Sequence, residues 1–302
     1  MANLTPDGNH TAKVQALFCS TRSYGFPQKI FILTLNISMS MSTILGNVLI
    51  IAALRRVHSL HPPSKTLLRW LLGADLATGL LSQPLFVSFL TSQEHSEACY
   101  YLKTIFYTTA TLFSLGLVLT LTAIGVDRLF SLSLGLRYRQ LVTTRRVRFT
   151  MSLLWLLSAV IASTFIYHPL ATTSSVYIIV FLCVMVSTFC YLKIYLGIRQ
   201  HQTQIGVQRQ FGQGETLNIA RYKKTVTGVV WVQITLVICY VPHAIAQAIF
   251  AYTAEGTASF NFFWDVTISM AFLTLTLNPF LYCWKVREVT RALKDIIRPL
   301  LC

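Results

Sequence analysis

The stretch TLNPFLYCWKVREVTRALKDIIR, residues 276–298, decides the fold. It begins in apolar sequence, crosses an Asn-Pro pair at Asn278 and Pro279, and then turns abruptly cationic. Asn-Pro is normally a turn signal, and a proline inside a helix frees a backbone carbonyl one turn earlier and kinks the helix. The stretch therefore predicts a membrane helix with a hinge near its cytoplasmic end.

The cationic part that follows predicts a second, shorter helix. Its apolar residues recur at helical intervals and cations occupy much of the opposite side, which is the pattern of an amphipathic helix on the inner leaflet. An ordinary solvated tail is the alternative. The apolar positions are Val286, Val289, Leu293, Ile296 and Ile297.

Composition points to a bilayer. Of the 302 residues, 54% are hydrophobic and 12% are charged, against about 25% charged residues in soluble domains. The net charge of +15 does not indicate nucleic acid, because the basic residues lie between long apolar runs and not along one soluble face. The composition predicts an all-α membrane protein.

Seven runs are long enough to cross the hydrocarbon, which takes about 20 apolar residues. Loops one, three and five and the tail are basic, whereas the other connections carry Glu94, Glu97, Glu255 and Asp265 with few cations. Basic loops stay cytoplasmic, so this alternation requires an odd number of spans and an outside N terminus. The predicted spans lie near 29–54, 67–91, 102–127, 149–170, 174–198, 226–252 and 260–284.

The domain organisation follows from these spans. We predict an extracellular N-terminal segment over residues 1–28, a seven-transmembrane domain over 29–284, and a cytoplasmic amphipathic helix and tail over 285–302. The sequons at Asn3 and Asn9 fit glycosylation if the N-terminal segment is lumenal. The connection HPLATTSS predicts a tight hairpin between spans four and five.

Three spans each carry one buried polar group: Asn47, Asp75 and Asn278. Such groups are costly in a membrane and point to function. We expect the three to satisfy one another inside the bundle.

With these residues in place, the whole chain resembles the rhodopsin-like family of G protein-coupled receptors. Six family motifs occur in order on the seven spans. The second cytoplasmic loop, LRYRQLVTTRR, is more weakly similar to that of melanocortin- and adenosine-type receptors. The matching residues are Gly46-Asn47, Leu71 with Asp75, Asp127-Arg128, Trp155, Cys239-Tyr240-Val241-Pro242, and Asn278-Pro279 with Tyr282.

The resemblance implies a two-state switch that activates a heterotrimeric G protein, with arrestin as a further partner. Arg128 would pair with Asp127 at rest and swing inward on activation. Tyr191 and Tyr282 would then support the open state. A plain interfacial ion pair is the alternative reading of Asp127-Arg128. Tyr240, Pro242 and Pro279 complete the implied switch, together with Asp75 and Asn278.

The chain departs from the family pattern at several positions. Leu129 replaces the motif tyrosine, Tyr240 replaces the toggle tryptophan, and Gly135 replaces a loop proline. A sodium ion, which the resemblance implies at Asp75, is doubtful, because Leu117 replaces a serine ligand and only Thr274 and Asn278 remain as partners. No other cofactor is expected.

The resemblance implies a disulfide to the second extracellular loop, but that loop contains no cysteine. A Cys19–Cys99 bridge is compatible with an oxidising exterior, and free thiols are the alternative. Cys183, Cys190 and Cys239 fit small apolar core positions. Cys302, after the amphipathic helix, is a candidate for palmitoylation.

The ligand pocket that the resemblance implies lies between helices three, five, six and seven. Ala110 replaces the aspartate of amine receptors, and Phe272 replaces the lysine of opsins. The remaining walls favour a small, largely apolar or lipid-like ligand. His243 would hydrogen-bond that ligand or be satisfied by a neighbouring helix. The candidate ligand-binding residues are Phe86, Tyr107, Ala110, Thr111, Ser114, His243, Gln247, Phe250, Trp264 and Ile268.

The sequence therefore predicts a plasma-membrane receptor without enzymatic activity. The alternative is an ion- or proton-coupled transporter that uses Asp75 as a relay, which would require further carboxylates along a pathway through the membrane.

Overall fold

The computed structural model describes residues 25–57, 61–92, 96–207, 230–231, 233–250, 257–285 and 287–298. Within these residues, seven helices are long and apolar enough to cross a membrane, and no strand occurs. An eighth, short helix follows the seventh. The helices are α1 (Phe26–Arg56), α2 (Pro62–Thr91), α3 (Glu97–Ser133), α4 (Thr144–Ile166), α5 (Pro169–Val207), α6 (Gln233–Phe250), α7 (Ala258–Lys285) and α8 (Arg287–Ile297).

The predicted seven-helix bundle and its eighth helix are thus confirmed. Large apolar side chains cover the outside of the bundle, as Phe149 on α4 and Phe181 on α5 show with 66% and 63% of their surface exposed. A water-soluble protein would expose few such patches. These surfaces are therefore the ones that contact lipid.

The prediction of the fourth span and the following loop was wrong at one boundary. The fourth span ends at Ile166, and α5 begins at Pro169, so only two residues separate the helices and most of HPLATTSS is helical. Proline fits the start of a helix, where its missing N–H has no partner to lose. The hydroxyls of Thr172 and Thr173 bond the carbonyls of His168 and Pro169 one turn earlier, at 2.9 and 2.7 Å.

Helix α2 is continuous but contains one wide turn, a π segment at Thr78–Ser82. Such segments break the regular hydrogen-bond ladder. The hydroxyl of Ser40 on α1 donates to the carbonyl of Gly79 at 2.8 Å, so a side chain of the neighbouring helix satisfies a backbone group at the irregular turn.

Helices α1 and α7 approach closely beside the Asn-Pro pair. A Cβ built on Gly46 would lie 2.8 Å from Cγ and 3.0 Å from Cβ of Pro279. Only glycine allows this approach, because any side chain at Gly46 would overlap the proline ring.

Candidate functional site

The interior of the bundle contains a buried pair between α2 and α7. Nδ2 of Asn278 donates to Oδ2 of Asp75 at 2.8 Å, and both residues are fully buried. Asn47, which we expected to join them, instead donates from Nδ2 to the carbonyl of Thr43 on its own helix at 2.9 Å. Asp75 and Asn278 therefore bond each other as predicted, but the prediction is wrong for Asn47. Its amide reaches the carbonyl of Thr43, which lies one turn away on the same helix.

Further side-chain hydrogen bonds join α1 to α7 above this pair. Nδ2 of Asn36 donates to Oγ of Ser269 at 2.8 Å, and the hydroxyls of Thr43 and Thr276 lie 2.9 Å apart. We call these contacts and the Asp75–Asn278 pair the polar seam. The seam fixes α7 against α1 and α2 around the proline hinge.

Several oxygens beside the seam have no hydrogen-bond partner among the described residues: Oδ1 of Asp75, Oδ1 of Asn278 and Oγ1 of Thr274. Carboxylate, amide and hydroxyl oxygens are the ligands that hard cations take. The donor chemistry thus fits a sodium ion, which Asp75, Asn278 and Thr274 would hold, while Leu117 on α3 offers no oxygen.

At the basic end of the bundle, the carboxylate of Asp127 is held by two hydroxyls. Tyr138 Oη donates to Oδ1 at 2.6 Å, and Ser64 Oγ donates to Oδ2 at 2.9 Å. The hydrogen bonds that the structure describes for Asp127 thus come from Tyr138 and Ser64, whereas the partner expected from the resemblance is the neighbouring Arg128. Adjacent residues on a helix point in different directions, whereas Tyr138 and Ser64 approach from other segments.

Tyr138 lies in a short helical turn, Tyr138–Leu141, that follows α3. Burial, together with the bond to Asp127, raises the pKa of Tyr138 to about 12, so the phenol stays protonated and donates. The ring of His61 packs against Tyr138 with centroids 5.2 Å apart, and burial lowers the pKa of that imidazole. The chain reaches Tyr138 through Gly135, whose φ of +50° favours glycine.

The implied switch includes two tyrosines, one on α5 and one on α7. Tyr191 on α5 is buried, and its hydroxyl lies 3.3 Å from a Cβ built on Gly125 of α3. That hydroxyl has no hydrogen-bond partner among the described residues. The side chain of Tyr282 lies outside the described residues.

A cavity of about 160 Å³ opens between α3, α5, α6 and α7. Nine of the ten candidate ligand-binding residues line it. Phe86 does not: it is fully buried beside Phe106 and Phe272, with ring centroids 5.0 and 5.9 Å away. The nine are Tyr107, Ala110, Thr111, Ser114, His243, Gln247, Phe250, Trp264 and Ile268.

Sequence reasoning missed one wall of this cavity and its one cationic residue. The start of α5 contributes a stripe with helical spacing, and only its first three residues fall in HPLATTSS, for which the sequence predicts a tight hairpin. Lys103 on α3 lines the cavity but is not among the predicted ligand-binding residues. The missed α5 residues are Pro169, Leu170, Thr173, Val176, Tyr177 and Val180.

Side-chain hydrogen bonds cross the cavity between helices. Tyr240 Oη donates to Oγ of Ser114 at 3.3 Å, and Nε1 of Trp264 donates to Oη of Tyr107 at 2.9 Å. Nδ1 of His243 lies 3.0 Å from Oγ1 of Thr267 on α7. These contacts tie α6 and α7 to α3 and to each other.

The tautomer of His243 follows from its partner. Oγ1 of Thr267 already donates to the carbonyl of Trp264 at 2.7 Å, and a hydroxyl has a single hydrogen to donate. Nδ1 of His243 must therefore donate to Thr267, which leaves Nε2 of the neutral ring as an acceptor. A neighbouring helix satisfies one ring nitrogen, and the other stays available at the cavity wall.

The cysteines divide as follows. Cys99, at the start of α3, is disulfide-bonded, which excludes a free thiol there. Cys183, Cys190 and Cys239 are buried free thiols, as expected of core residues. The remaining candidates for disulfide pairing, lipidation and glycosylation lie outside the described residues: Cys19, Cys302, Asn3 and Asn9.

Comparison with known proteins gives a consistent result. The family model described as 7 transmembrane receptor (rhodopsin family) matches residues 46–175 and 163–282. The adenosine receptor A3 of Ovis aries is 24% identical over 85% of this chain and 86% of its own length. The adenosine receptor A2a of Homo sapiens is 22% identical over 88% of this chain and 72% of its own length. The alpha-2Da adrenergic receptor of Danio rerio is 27% identical over 73% of this chain and 59% of its own length.

Proposed function

Because the chain belongs to the rhodopsin family of seven-transmembrane receptors, we propose that a small, largely apolar or lipid-like ligand in the cavity between α3, α5, α6 and α7 activates it. The chain is a multi-pass plasma-membrane protein and a G protein-coupled receptor, and it is not an enzyme. The transporter alternative gains no support from the family match.

The observation that carries the ligand class is the lining of the cavity. Among its described lining residues there is no carboxylate, and most of the wall is aliphatic or aromatic. A protonated amine would need an acidic partner on leaving water, so Ala110 and the absence of an acid in this lining argue against an amine, even though one relative is named an adrenergic receptor. Sequence identities of 22–27% do not transfer either relative's ligand to this chain.

The volume of the cavity sets a size limit. About 160 Å³ is below the roughly 300–1,000 Å³ of sites for drug-sized molecules. A small molecule, or one end of a longer lipid, fits without rearrangement. The acceptor at Nε2 of His243 favours a ligand that brings an N–H or O–H donor to this wall.

Activation would use the residues that the family resemblance singled out. The ligand must bind the active arrangement more tightly than the resting one, since equal affinity shifts no population. Asp75, Asn278 and Pro279 form the interior part of the proposed switch. Arg128 forms its cytoplasmic contact with the G protein, and Asp127 holds the resting position through Tyr138 and Ser64.

Nucleotide exchange tests the switch. Purified receptor in nanodiscs is combined with G protein heterotrimers, and exchange is measured without and with ligand. We expect Arg128→Ala to abolish receptor-stimulated exchange, while Arg137→Ala, an exposed arginine at the same end of the bundle, preserves it. Undiminished exchange by correctly folded Arg128→Ala would refute the assigned role.

A ligand screen tests the pocket. Lipids and small neutral metabolites are tried on the wild-type receptor, and a responsive compound is then tested on Ala110→Leu, which narrows the cavity. The control is Leu80→Phe on the half-exposed outer face of α2. We expect a loss of potency of at least tenfold in Ala110→Leu alone, and equal potency in both variants would place the ligand elsewhere.

The remaining assignments follow the orientation of the chain. We propose an extracellular N terminus with glycans on Asn3 and Asn9, a Cys19–Cys99 disulfide, which the disulfide-bonded state of Cys99 supports, and palmitoylation of Cys302. Arrestin is a second proposed cytoplasmic partner. The orientation is checked by treating the receptor with a glycosidase. We expect the treatment to lower the apparent mass of the wild-type protein but not that of the double variant Asn3→Gln/Asn9→Gln.

A further inference from the structure

A groove lies on the outside of the bundle between α2 and α4, in the half that carries the basic loops. Its volume is about 730 Å³. We call it the α2–α4 groove and define it by Arg69, Trp70, Gly73, Arg148, Ser152 and Trp155. None of these residues belongs to the ligand cavity or to the proposed switch.

Two arginines stand at the basic end of the groove. Arg69 and Arg148 are exposed, yet both lie inside spans, seven and four residues from Pro62 and Thr144. At 1.5 Å per residue these positions are about 10 and 6 Å from the helix ends, a depth that we assign to the region between the headgroups and the hydrocarbon. Neither guanidinium has an anionic partner in the part of the chain that the structure describes.

An anionic partner is favourable for a guanidinium at that depth, because the group stays charged at every physiological pH and a charge in the membrane is costly. Guanidinium groups match phosphate oxygens in a bidentate geometry. A lipid phosphate is the anion that this depth supplies.

The rest of the groove is suited to a hydrocarbon chain. The rings of Trp70 and Trp155 form its floor, with centroids 5.8 Å apart. Gly73 lies one turn beyond Arg69, and a Cβ built on it would meet nothing within 4 Å. The apolar part therefore continues from the arginines toward the middle of the membrane, and it is open.

We propose that the α2–α4 groove binds an anionic phospholipid of the cytoplasmic leaflet. The phosphate lies between Arg69 and Arg148, and an acyl chain runs over Gly73 and the two tryptophans. The assignment to the cytoplasmic leaflet rests on the orientation proposed above. A sterol would fill the apolar part but would leave both guanidinium groups without an anion, and a zwitterionic lipid would bring its own cation to an already cationic site.

Quenching of tryptophan fluorescence tests the proposal, because two of the five tryptophans of the chain line the groove. The full chain is placed in phosphatidylcholine nanodiscs with a small fraction of brominated phosphatidylserine, or with the same fraction of brominated phosphatidylcholine. We expect stronger quenching by the brominated phosphatidylserine. Equal quenching by the two lipids in the wild-type protein would overturn the proposal.

Variants distinguish binding in the α2–α4 groove from a general attraction of anionic lipid to the basic surface. In Arg69→Gln and in Arg148→Gln the preference for phosphatidylserine should fall about fivefold each, since one basic residue near the surface contributes about 1 kcal/mol. Arg145→Gln, an exposed arginine of α4 outside the groove, should keep the preference. An equal loss in Arg145→Gln would reduce the effect to general attraction and overturn the proposal.

A further variant tests the acyl part. Gly73→Leu places a larger side chain in the groove, starting from a Cβ that meets nothing within 4 Å, and keeps both arginines, so it should lower the quenching by phosphatidylserine. A brominated sterol that quenches more strongly than phosphatidylserine, and does so equally in Arg69→Gln, would assign the groove to a sterol instead.

Discussion

The contact between Gly46 and Pro279 gives the sharpest test of the fold, and the test is the substitution Gly46→Ala. The added methyl group would lie 2.8 Å from Cγ of the proline, whereas ordinary van der Waals contact begins at 3.4 Å. The ring must therefore retreat by about 0.6 Å. Because the ring is rigid and part of the α7 backbone, the retreat moves α7 itself away from α1.

The magnitude follows from two opposing terms. Overpacking a tight contact costs about 1–3 kcal/mol, and replacing a helical glycine by alanine contributes about 1 kcal/mol of helix stability. Gly46→Ala should thus destabilise the receptor by roughly 0–2 kcal/mol. In Gly73→Ala the added methyl group meets nothing within 4 Å, so this variant gains the helix stability without any cost of overpacking.

The assay is the melting temperature of purified receptor in detergent. With about 2 °C for each kcal/mol in a protein of this size, Gly73→Ala should melt roughly 2–6 °C above Gly46→Ala. A double-mutant cycle with Pro279→Ala, which removes Cγ but keeps the Cβ that lies 3.0 Å away, should recover part of the Gly46→Ala loss. If both glycine variants shift alike, or if Pro279→Ala recovers nothing, the close approach of α1 and α7 is refuted.

Three further predictions concern polar side chains inside the bundle and at its basic end. Asp75→Leu leaves the amide of Asn278 without an acceptor and should lower the free energy of unfolding by about 1–3 kcal/mol, more than Asp75→Asn, which keeps an oxygen; equal melting temperatures would contradict the pair. Tyr138→Phe removes a hydrogen bond to the carboxylate of Asp127 and should lower the free energy of unfolding by a similar amount. An unchanged melting temperature would show that this hydrogen bond is dispensable. His61 has a lowered pKa, so its stabilising contribution is full above the usual 6.5 and is lost as pH falls below it; His61→Gln should weaken the acid dependence of melting, and an identical pH profile would argue against it.

The sequence predicts the spans well because crossing a membrane is a property of about 20 consecutive residues, which no distant contact can override. The start of α5 could not be obtained in this way. Pro169 and the hydroxyl residues after it have the composition of a loop, yet Thr172 and Thr173 satisfy their hydroxyls within the helix. Composition does not reveal where a hydroxyl finds its acceptor.

The partners of the buried polar residues were harder to predict than the residues themselves. Asp127 and Arg128 are neighbours in sequence, but the donors to Asp127 come from Tyr138, 11 positions along the chain, and Ser64, 63 positions away. Asn47 likewise bonds its own helix and not Asp75. A motif identifies which side chain is polar and buried, and only the packing of the helices determines which atom it meets.

The distribution of these bonds indicates which helix a ligand can move. The polar seam ties α7 to α1 and α2 away from the cavity, so a ligand does not touch it. The side-chain hydrogen bonds that the structure describes from α6 to other helices come from Tyr240 and His243, and both of these residues line the cavity. A ligand that accepts the hydroxyl hydrogen of Tyr240 competes directly with the bond of α6 to Ser114. One that donates to Nε2 of His243 contacts α6 beside its bond to Thr267, and neither ligand touches the polar seam. We therefore expect a ligand in the cavity to act on the position of α6, and it can shift that position only if it binds one arrangement more tightly than another.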